Sequence, residues 1–301
     1  MKKILLFAAC TCIALFSCSK EDNSDPPKPK PPTPPTTQTN IPINIATTAW
    51  TKATDSGFES GDKVGIYVVN YSGTSPGTLA SSGNHVNNMG FTYTTVWTPD
   101  TKVYWKDETT KTDFYCYYPY TTAISDVSSY PFSVKASQAA LSDYKASDFL
   151  WGKTAGVIPT PNSVQINVSH VMSNIIVVLV PGDGYTANDL KSATVTIQNL
   201  KTSSTINLAT GVATATGSAQ DITPRAETEY FRALVVPQSV SNVDLIKVQI
   251  GDYTYILKQT ITFEANKQHT CTLKVNKTEE GVNIVIGGWE KDSIDHGGTV
   301  G

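Results

Sequence analysis

Apolar and polar side chains alternate in short runs along most of the chain after Ile41. In one early run, Val64, Ile66 and Val68 alternate with small or polar neighbours, and clusters of Gly, Pro, Asn and Ser separate the runs. A period of two is typical of strands that bury one face. The pattern predicts further strands at 102–105, 113–118, 163–168, 174–180, 193–200, 204–208, 230–236, 244–250, 253–258, 270–275 and 282–286.

Helical patterns are rare in this chain. Only 139–145 and 186–191 have helical character, each of one or two turns at most. Gly251-Asp252 separates two strand-like runs, which is typical of a hairpin turn. Short strands punctuated by turn residues predict an all-β protein of antiparallel sandwiches. A body of about 260 residues is long enough for two cores.

The N-terminal segment follows a different pattern. Lys2 and Lys3 precede an apolar run of about 13 residues, shorter than the ~20 that a membrane-spanning helix needs. Leu15, Ser17 and Cys18 match the cleavage pattern of bacterial lipoproteins. We predict that the signal peptide, residues 1–17, is removed and that a lipid on Cys18 becomes the anchor. The alternative is a plain signal peptide before an incidental cysteine.

The residues after the lipidated cysteine predict an exposed tether. Lys20, Glu21 and Asp22 resemble the tag that exports lipoproteins to the outer face of the outer membrane in Gram-negative anaerobes; the alternative is a solvated charged tether. Proline rings are almost the only apolar groups that follow, so 18–40 is predicted to be a disordered Pro-rich linker. At ~3.1 Å per residue, the linker would hold a folded body about 50 Å from the lipid.

The charge balance and the cysteines indicate which partner is not expected and whether a disulfide forms. Loss of Lys2 and Lys3 leaves 21 basic side chains against 26 acidic ones. No basic run exists, so nucleic acid is not an expected partner. Cys116 and Cys271 each alternate with apolar neighbours, which favours buried free thiols over a disulfide.

No pattern of catalytic residues stands out. The histidines are far apart in sequence and lack a second His or Cys at metal-ligand spacing. For His170 we expect a structural imidazole bonded to backbone. The chain has no Gly-rich phosphate loop, nucleophile elbow or recognisable carboxylate pair. We therefore expect no enzyme activity, no catalytic or metal site and no cofactor. The four histidines are His85, His170, His269 and His296.

A cluster of aromatic residues allows two interpretations. It is either a sugar-stacking platform or a packed core with an aromatic outer face. Strand alternation places about half of these side chains inside, which favours the core. The cluster consists of Trp97, Tyr104, Trp105, Phe114, Tyr115, Tyr117, Tyr118 and Tyr120.

Six longer segments carry a resemblance to a known family. They are FESGDKVGIYV (58–68), DFYCYYPY (113–120), DFLWG (148–152), SVQINVSHVMSNIIVVL (163–179), KQTITFEANKQHTCTLKV (258–275) and VNIVIGGWEKD (282–292). In this order they resemble the fimbrillins, the lipoprotein subunits of surface pili of anaerobic bacteria. The chain departs from the family pattern at Cys116, where a small residue is usual, and at Asn266, where glycine is common.

The resemblance implies two tandem transthyretin-like antiparallel β-sandwich domains, which we place at 41–165 and 166–301. It also implies assembly by strand donation. A protease cuts the loop after the first strand, and an extended segment of a neighbouring subunit fills the groove that this strand leaves. The implied partners are other fimbrial subunits, a processing protease, the outer membrane through the lipid anchor, and a host or bacterial receptor.

Two parts of this assembly can be assigned near the N-terminus. The first strand is expected at 41–46, where Ile41, Ile43 and Ile45 alternate and Pro42 favours an edge position. Lys52 occupies the processing position, where the family usually has arginine. A trypsin-like or Lys-specific protease would therefore be needed; the alternative is an ordinary loop lysine.

The tail, 282–301, is the expected donor strand. Val282, Ile284 and Ile286 alternate, and Trp289 follows two glycines. The alternative is that 282–286 completes the subunit's own sheet. The function that follows is a structural subunit of a cell-surface fimbrium that serves adhesion. The competing hypothesis is a surface glycan-binding lipoprotein of a polysaccharide-uptake system.

Overall fold

A computed structural model describes residues 41–47 and 57–277, together with the backbone of 284–286. Several predicted features lie outside the described residues. These features are the signal peptide 1–17, the linker 18–40, Cys18, Lys20, Glu21, Asp22, Lys52, Val282 and Trp289. Their roles stay predictions.

Strands dominate the described residues, which confirms the all-β prediction. The two short helices, α1 (Leu141–Ala146) and α2 (Ala187–Leu190), fall where helical character was expected. The strands are β1 (Ile45–Thr47), β2 (Lys63–Asn70), β3 (Val86–Tyr93), β4 (Trp97–Pro99), β5 (Thr112–Tyr118), β6 (Tyr130–Ser133), β7 (Leu150–Val157), β8 (Val164–Ile166), β9 (Ser169–His170), β10 (Ser173–Pro181), β11 (Thr194–Asn207), β12 (Val212–Ile222), β13 (Arg225–Ala226), β14 (Phe231–Val235), β15 (Gln238–Ile250), β16 (Tyr253–Phe263), β17 (Gln268–Val275) and β18 (Ile284–Ile286).

The first sheet is buried on both faces at its central strands, β2 and β5. It orders six strands as β4-β3-β2-β5-β7-β9. Successive side chains of a strand point to opposite faces. Val64, Ile66 and Val68 of β2 therefore enter one core, whereas Tyr67 and Val69 enter another. A separate two-stranded sheet, β1 paired with β8, belongs to the first of these cores.

We call that first core the smaller core. Its members come from 43–45, from 164–168, from one face of the six-stranded sheet and from the loop that follows β4. They are Ile43, Ile45, Val64, Ile66, Val68, Val86, Phe91, Trp97, Trp105, Phe114, Cys116, Leu150, Val164, Ile166 and Val168.

The larger core lies between two further sheets. One orders β13-β14-β10-β17-β18, and the other orders β12-β11-β15-β16, with β6 also paired to β11. Ile175 and Val177 of β10 share this core with Ile197 of β11 and Val248 of β15. Two sheets that bury their inner faces against each other form a β-sandwich.

The two predicted domains share this larger core. Tyr117 and Phe149, from the first predicted domain, belong to it. Strand β6 also comes from the first predicted domain, yet it pairs with β11 of the second. The boundary between 165 and 166 stays a prediction.

The structure corrects some strand predictions. Segment 102–105 forms only an isolated bridge, between Tyr104 and Pro42, and 193–200 and 204–208 merge into the single long β11. Pairing is parallel between β10 and β17 and between β1 and β8, whereas the prediction was antiparallel throughout. The Gly251 hairpin is confirmed, because Ile250 pairs directly with Tyr253.

Candidate assembly site

The first strand of the body is bonded along one side to the segment that follows β4. Within 41–47, the Ile43 N–H donates to the Val103 carbonyl at 2.9 Å. The Trp105 N–H donates to the Ile41 carbonyl at 3.0 Å. These two bonds align the start of the strand antiparallel to 103–105.

The other side of the same strand is bonded to β8. The Val164 N–H donates to the Asn44 carbonyl at 2.8 Å. The parallel ladder continues with Ile45 opposite Val164 and ends with Thr47 opposite Ile166. The first strand therefore joins two segments that are about 60 residues apart in sequence, near 104 and near 165.

The inward side chains of the first strand complete the smaller core. Ile43 is 1% exposed and Ile45 is 4% exposed, whereas Pro42 and Asn44 at the alternate positions are exposed to solvent. Ile41 packs against the same core and is partly buried. The predicted inward alternation is confirmed for these residues. We call the surface that Ile43 and Ile45 cover, together with the backbone of 103–105 and 164–166, the strand groove.

One tryptophan contacts the chain on both sides of 48–56. The Trp97 Nε1–H donates to Thr47 Oγ1 at 3.0 Å. Phe58 packs edge-on against the Trp97 ring with the centroids 4.8 Å apart. Lys52 belongs to 48–56, outside the described residues, so its role as a processing site stays a prediction.

The described part of the tail pairs with the subunit's own sheet. Strand β18 runs antiparallel to β17, with Ile284 opposite Val275 and Ile286 opposite Leu273. This is the arrangement that the alternative interpretation of 282–286 expected. A donor role in another subunit would require this strand to leave β17, and that role stays a prediction.

The described histidines have structural partners. His170 Nδ1 lies 2.7 Å from Oδ1 of the buried Asp148, so its side-chain partner is a carboxylate where backbone was expected. His85 Nε2 lies 2.7 Å from the Tyr104 carbonyl oxygen. His269 packs edge-on against Phe263 with centroids 5.3 Å apart. Among the residues that the structure describes, no group of His, Cys, Asp and Glu is arranged to hold a metal ion.

Both cysteines of the body are buried free thiols, as predicted. Cys116 belongs to the smaller core and Cys271 to the larger one. Burial raises the pKa of the Cys271 thiol to about 12 and raises the pKa of Cys116 as well. Both thiols are therefore protonated and unreactive at neutral pH.

The predicted aromatic cluster is mainly core. Tyr104 is the exposed member, and Tyr118 and Tyr120 are partly buried. The remaining five are buried and divide between the two cores, so they do not form a sugar-stacking surface. These five are Trp97, Trp105, Phe114, Tyr115 and Tyr117.

Within 41–47 and 57–277, no helix is long and apolar enough to cross a membrane. The fold and the strand groove define a class of all-β proteins in which an N-terminal strand completes the core of the body. The sequence pattern of the fimbrillin-like family matches residues 51–289. The chain belongs to the fimbrillin-like family.

Individual relatives agree with this assignment. Fim1C of Bacteroides uniformis, named as a fimbrium subunit, is 26% identical over 251 residues, which cover 79% of this chain and 76% of the relative. A crystal structure from Bacteroides uniformis, described as a cell adhesion protein, has a TM-score of 0.65 at 22% identity and covers 83% of this chain and 97% of its own. A similarly described structure from Bacteroides ovatus has a TM-score of 0.62 at 19% identity and covers 84% and 98%. These two structures support the fold.

Some parts of the strand groove were not predicted from sequence. The partners of the first strand, Val103, Trp105 and Val164, lie far from it in the chain, and sequence alternation does not indicate which strands pair. The contact between Trp97 and Thr47 spans 50 residues and was missed for the same reason. The one sequence feature that pointed to a partner of the first strand was the alternation of Val103 and Trp105 with polar or exposed neighbours in 102–105.

Proposed function

We propose that this chain is a structural subunit of a cell-surface fimbrium that assembles by exchange of its first strand and serves adhesion. The observation that carries the proposal is the strand groove. An N-terminal strand with two buried isoleucines is bonded on both sides to the body, and Lys52 follows it in the sequence before Phe58.

Removal of the first strand would leave an unstable surface. The Val103 carbonyl and the N–H groups of Trp105 and Val164 would each lose the backbone partner described above. The side chains that cover Ile43 and Ile45 would become exposed. An apolar surface lined by unpaired backbone groups binds an extended segment from another chain.

The tail is the proposed occupant of the groove in a neighbouring subunit. Ile284 and Ile286 are spaced as Ile43 and Ile45 are, and burying two such side chains contributes about 3–6 kcal/mol before ordering costs. The tail must first leave β17, with which it pairs through three residue pairs.

Truncation at the processing position tests the exchange. Residues 53–301 should form polymers in gel filtration, whereas 19–301 should stay monomeric because its own strand fills the groove. Deleting 282–301 from the truncated chain should prevent elongation. Ile284→Asp should act in the same way, because an unpaired carboxylate in an apolar groove costs several kcal/mol. Asn283→Asp is the matched control, because residues 283 and 284 point to opposite faces of an extended strand.

Circular dichroism of each variant confirms that the body is folded before its size is measured. Polymerisation that proceeds without 282–301 would eliminate the tail as donor. Polymerisation of 19–301 without cleavage would show that neither a cut at Lys52 nor release of the first strand is needed for assembly.

Export and anchoring form a separate part of the proposal. We infer that Cys18 carries the lipid and that Lys20, Glu21 and Asp22 direct the protein to the cell surface. Cys18→Ala should leave an unprocessed precursor without lipid. Metabolic labelling with palmitate and surface proteolysis measure the two steps. Normal processing and membrane attachment of the variant would refute the anchor. Fimbrial partners and a surface receptor are expected, whereas a nucleic-acid partner is not.

A further inference from the structure

Trp97 connects the removable strand to the part of the body that remains. It lies on β4, the edge strand of the six-stranded sheet, and it is 7% exposed. Its indole N–H donates to the hydroxyl of Thr47, at the end of the first strand. A buried tryptophan N–H that loses its acceptor incurs a desolvation cost.

The ring of the same tryptophan is fixed from the other side of 48–56. Phe58 contacts it edge-on, and Tyr93 packs against it with centroids 5.1 Å apart. Phe58 also packs against Tyr118 at 5.7 Å. These contacts belong to residues that stay in the body after a cut at Lys52. The orientation of Trp97 is therefore maintained independently of the first strand.

The tail offers no replacement for the Thr47 hydroxyl. Two registers place Ile284 and Ile286 at the positions of Ile43 and Ile45. A parallel tail then places Gly288 at the position of Thr47, and an antiparallel tail places Val282 there. Neither residue has a side-chain hydrogen-bond acceptor. The contact to Trp97 is thus specific to the subunit's own strand.

We propose that Trp97 is a positioning residue that retains the first strand after the chain has been cut, and so slows strand exchange. The inference rests on the proposed function and adds a regulatory step to it. Cleavage alone does not empty the groove. The cut strand keeps its backbone bonds, its two buried isoleucines and the hydrogen bond from Trp97 to Thr47. Loss of that hydrogen bond accompanies release, and the donor does not restore it.

Strand release can be measured without any polymerisation. Residues 51–54 of the chain 19–301 are replaced by the recognition sequence of a site-specific protease, and the N-terminal amine carries a fluorophore. The protein is cut and mixed with excess unlabelled peptide 41–50, which blocks rebinding. The decay of fluorescence anisotropy then gives the release rate of the labelled fragment.

Three variants separate the hydrogen bond from packing. Thr47→Val removes the hydroxyl at almost constant volume, and Thr47→Ser keeps it while removing a methyl group. Trp97→Phe removes the donor. Thr47→Val and Trp97→Phe should each release the strand about five- to tenfold faster, the equivalent of one hydrogen bond. Thr47→Ser should release it close to the wild-type rate, and the double variant should be no faster than the faster single variant.

Two results would overturn the inference. One is release of Thr47→Val at the wild-type rate, and the other is equal acceleration by Thr47→Ser and Thr47→Val, since packing alone would then account for retention. The proposed function fails on a different observation. If release follows the predicted order but the emptied protein does not capture the tail peptide 282–301, retention by Trp97 stands and the choice of the tail as donor is wrong.

Discussion

Shortening Ile43 tests whether the first strand is an integral part of the smaller core. Its side chain is 1% exposed, so each removed methyl or methylene group leaves a cavity. Ile→Val substitutions at buried sites cost about 0.5–1.5 kcal/mol, and Ile→Ala substitutions cost about 2–5 kcal/mol. The expected effect is a graded loss of stability in the uncut protein.

The backbone bonds place the alanine variant in the upper part of that range. Ile43 is bonded to Val103 on one side, and the adjacent Asn44 is bonded to Val164 on the other. A strand held on both sides cannot shift to fill a cavity. We therefore expect Ile43→Ala to lower the free energy of unfolding by about 3–5 kcal/mol. Asn44→Ala, on the exposed face of the same strand, should change it by less than about 0.5 kcal/mol.

Urea unfolding of 19–301, followed by circular dichroism, supplies the measurement. A shift of the midpoint at constant slope gives the change in stability. If Ile43→Ala and Asn44→Ala unfold at the same urea concentration, the first strand does not contribute to the core and the strand groove is not a functional site. The cut form of Ile43→Ala should also release its first strand faster than the cut wild type.

Three further predictions concern the two cysteines, His269 and Gly65. At pH 8, neither Cys116 nor Cys271 should react with a thiol reagent in the native protein, whereas removal of the first strand should increase the reactivity of Cys116 alone. Mass spectrometry of the labelled peptides measures this, and equal labelling of both thiols after strand removal would contradict it. Burial lowers the pKa of His269 below its ordinary 6.5, so the free energy of unfolding should fall as the pH drops below 6.5, by at most about 1.4 kcal/mol per pH unit. His269→Gln should flatten this part of the plot of stability against pH. Identical acid unfolding curves for the variant and the wild type would refute the role of His269. A Cβ added at Gly65 would meet the Tyr117 ring, so Gly65→Ala should lower the urea midpoint by an amount equivalent to about 1–3 kcal/mol. An unchanged midpoint would mean that the ring can move aside.

Local alternation was sufficient to predict many elements of this fold. It identified β2, β5, β10, β15, β16 and β17, because each of these strands buries apolar side chains at every second position on at least part of its length. It also predicted the burial of Ile43 and Ile45. It missed β12, whose residues are mostly small or polar and mostly exposed, so this strand shows little apolar period.

Long-range relations were less accessible from sequence. The central strands of the six-stranded sheet are buried on both faces, and the core on the second face includes residues of both predicted domains. Alternation along a strand cannot distinguish a tyrosine that faces solvent from one that faces a second core; Tyr67 and Tyr117 are of the second kind. The pairing of β6 with β11 is also non-local, since 70 residues separate Ser133 from Ser203.

The ladders formed by the first and the last described strands are short. Strand β1 pairs with β8 over three residues, and β18 pairs with β17 over three residues. By contrast, β10 pairs with β17 over eight residues and with β14 over five. In the proposed exchange, loss of either ladder would leave the ladders of β10 with β17 and β14 intact. The proposed exchange requires such a distribution, since the body would have to stay folded while both ends change partner.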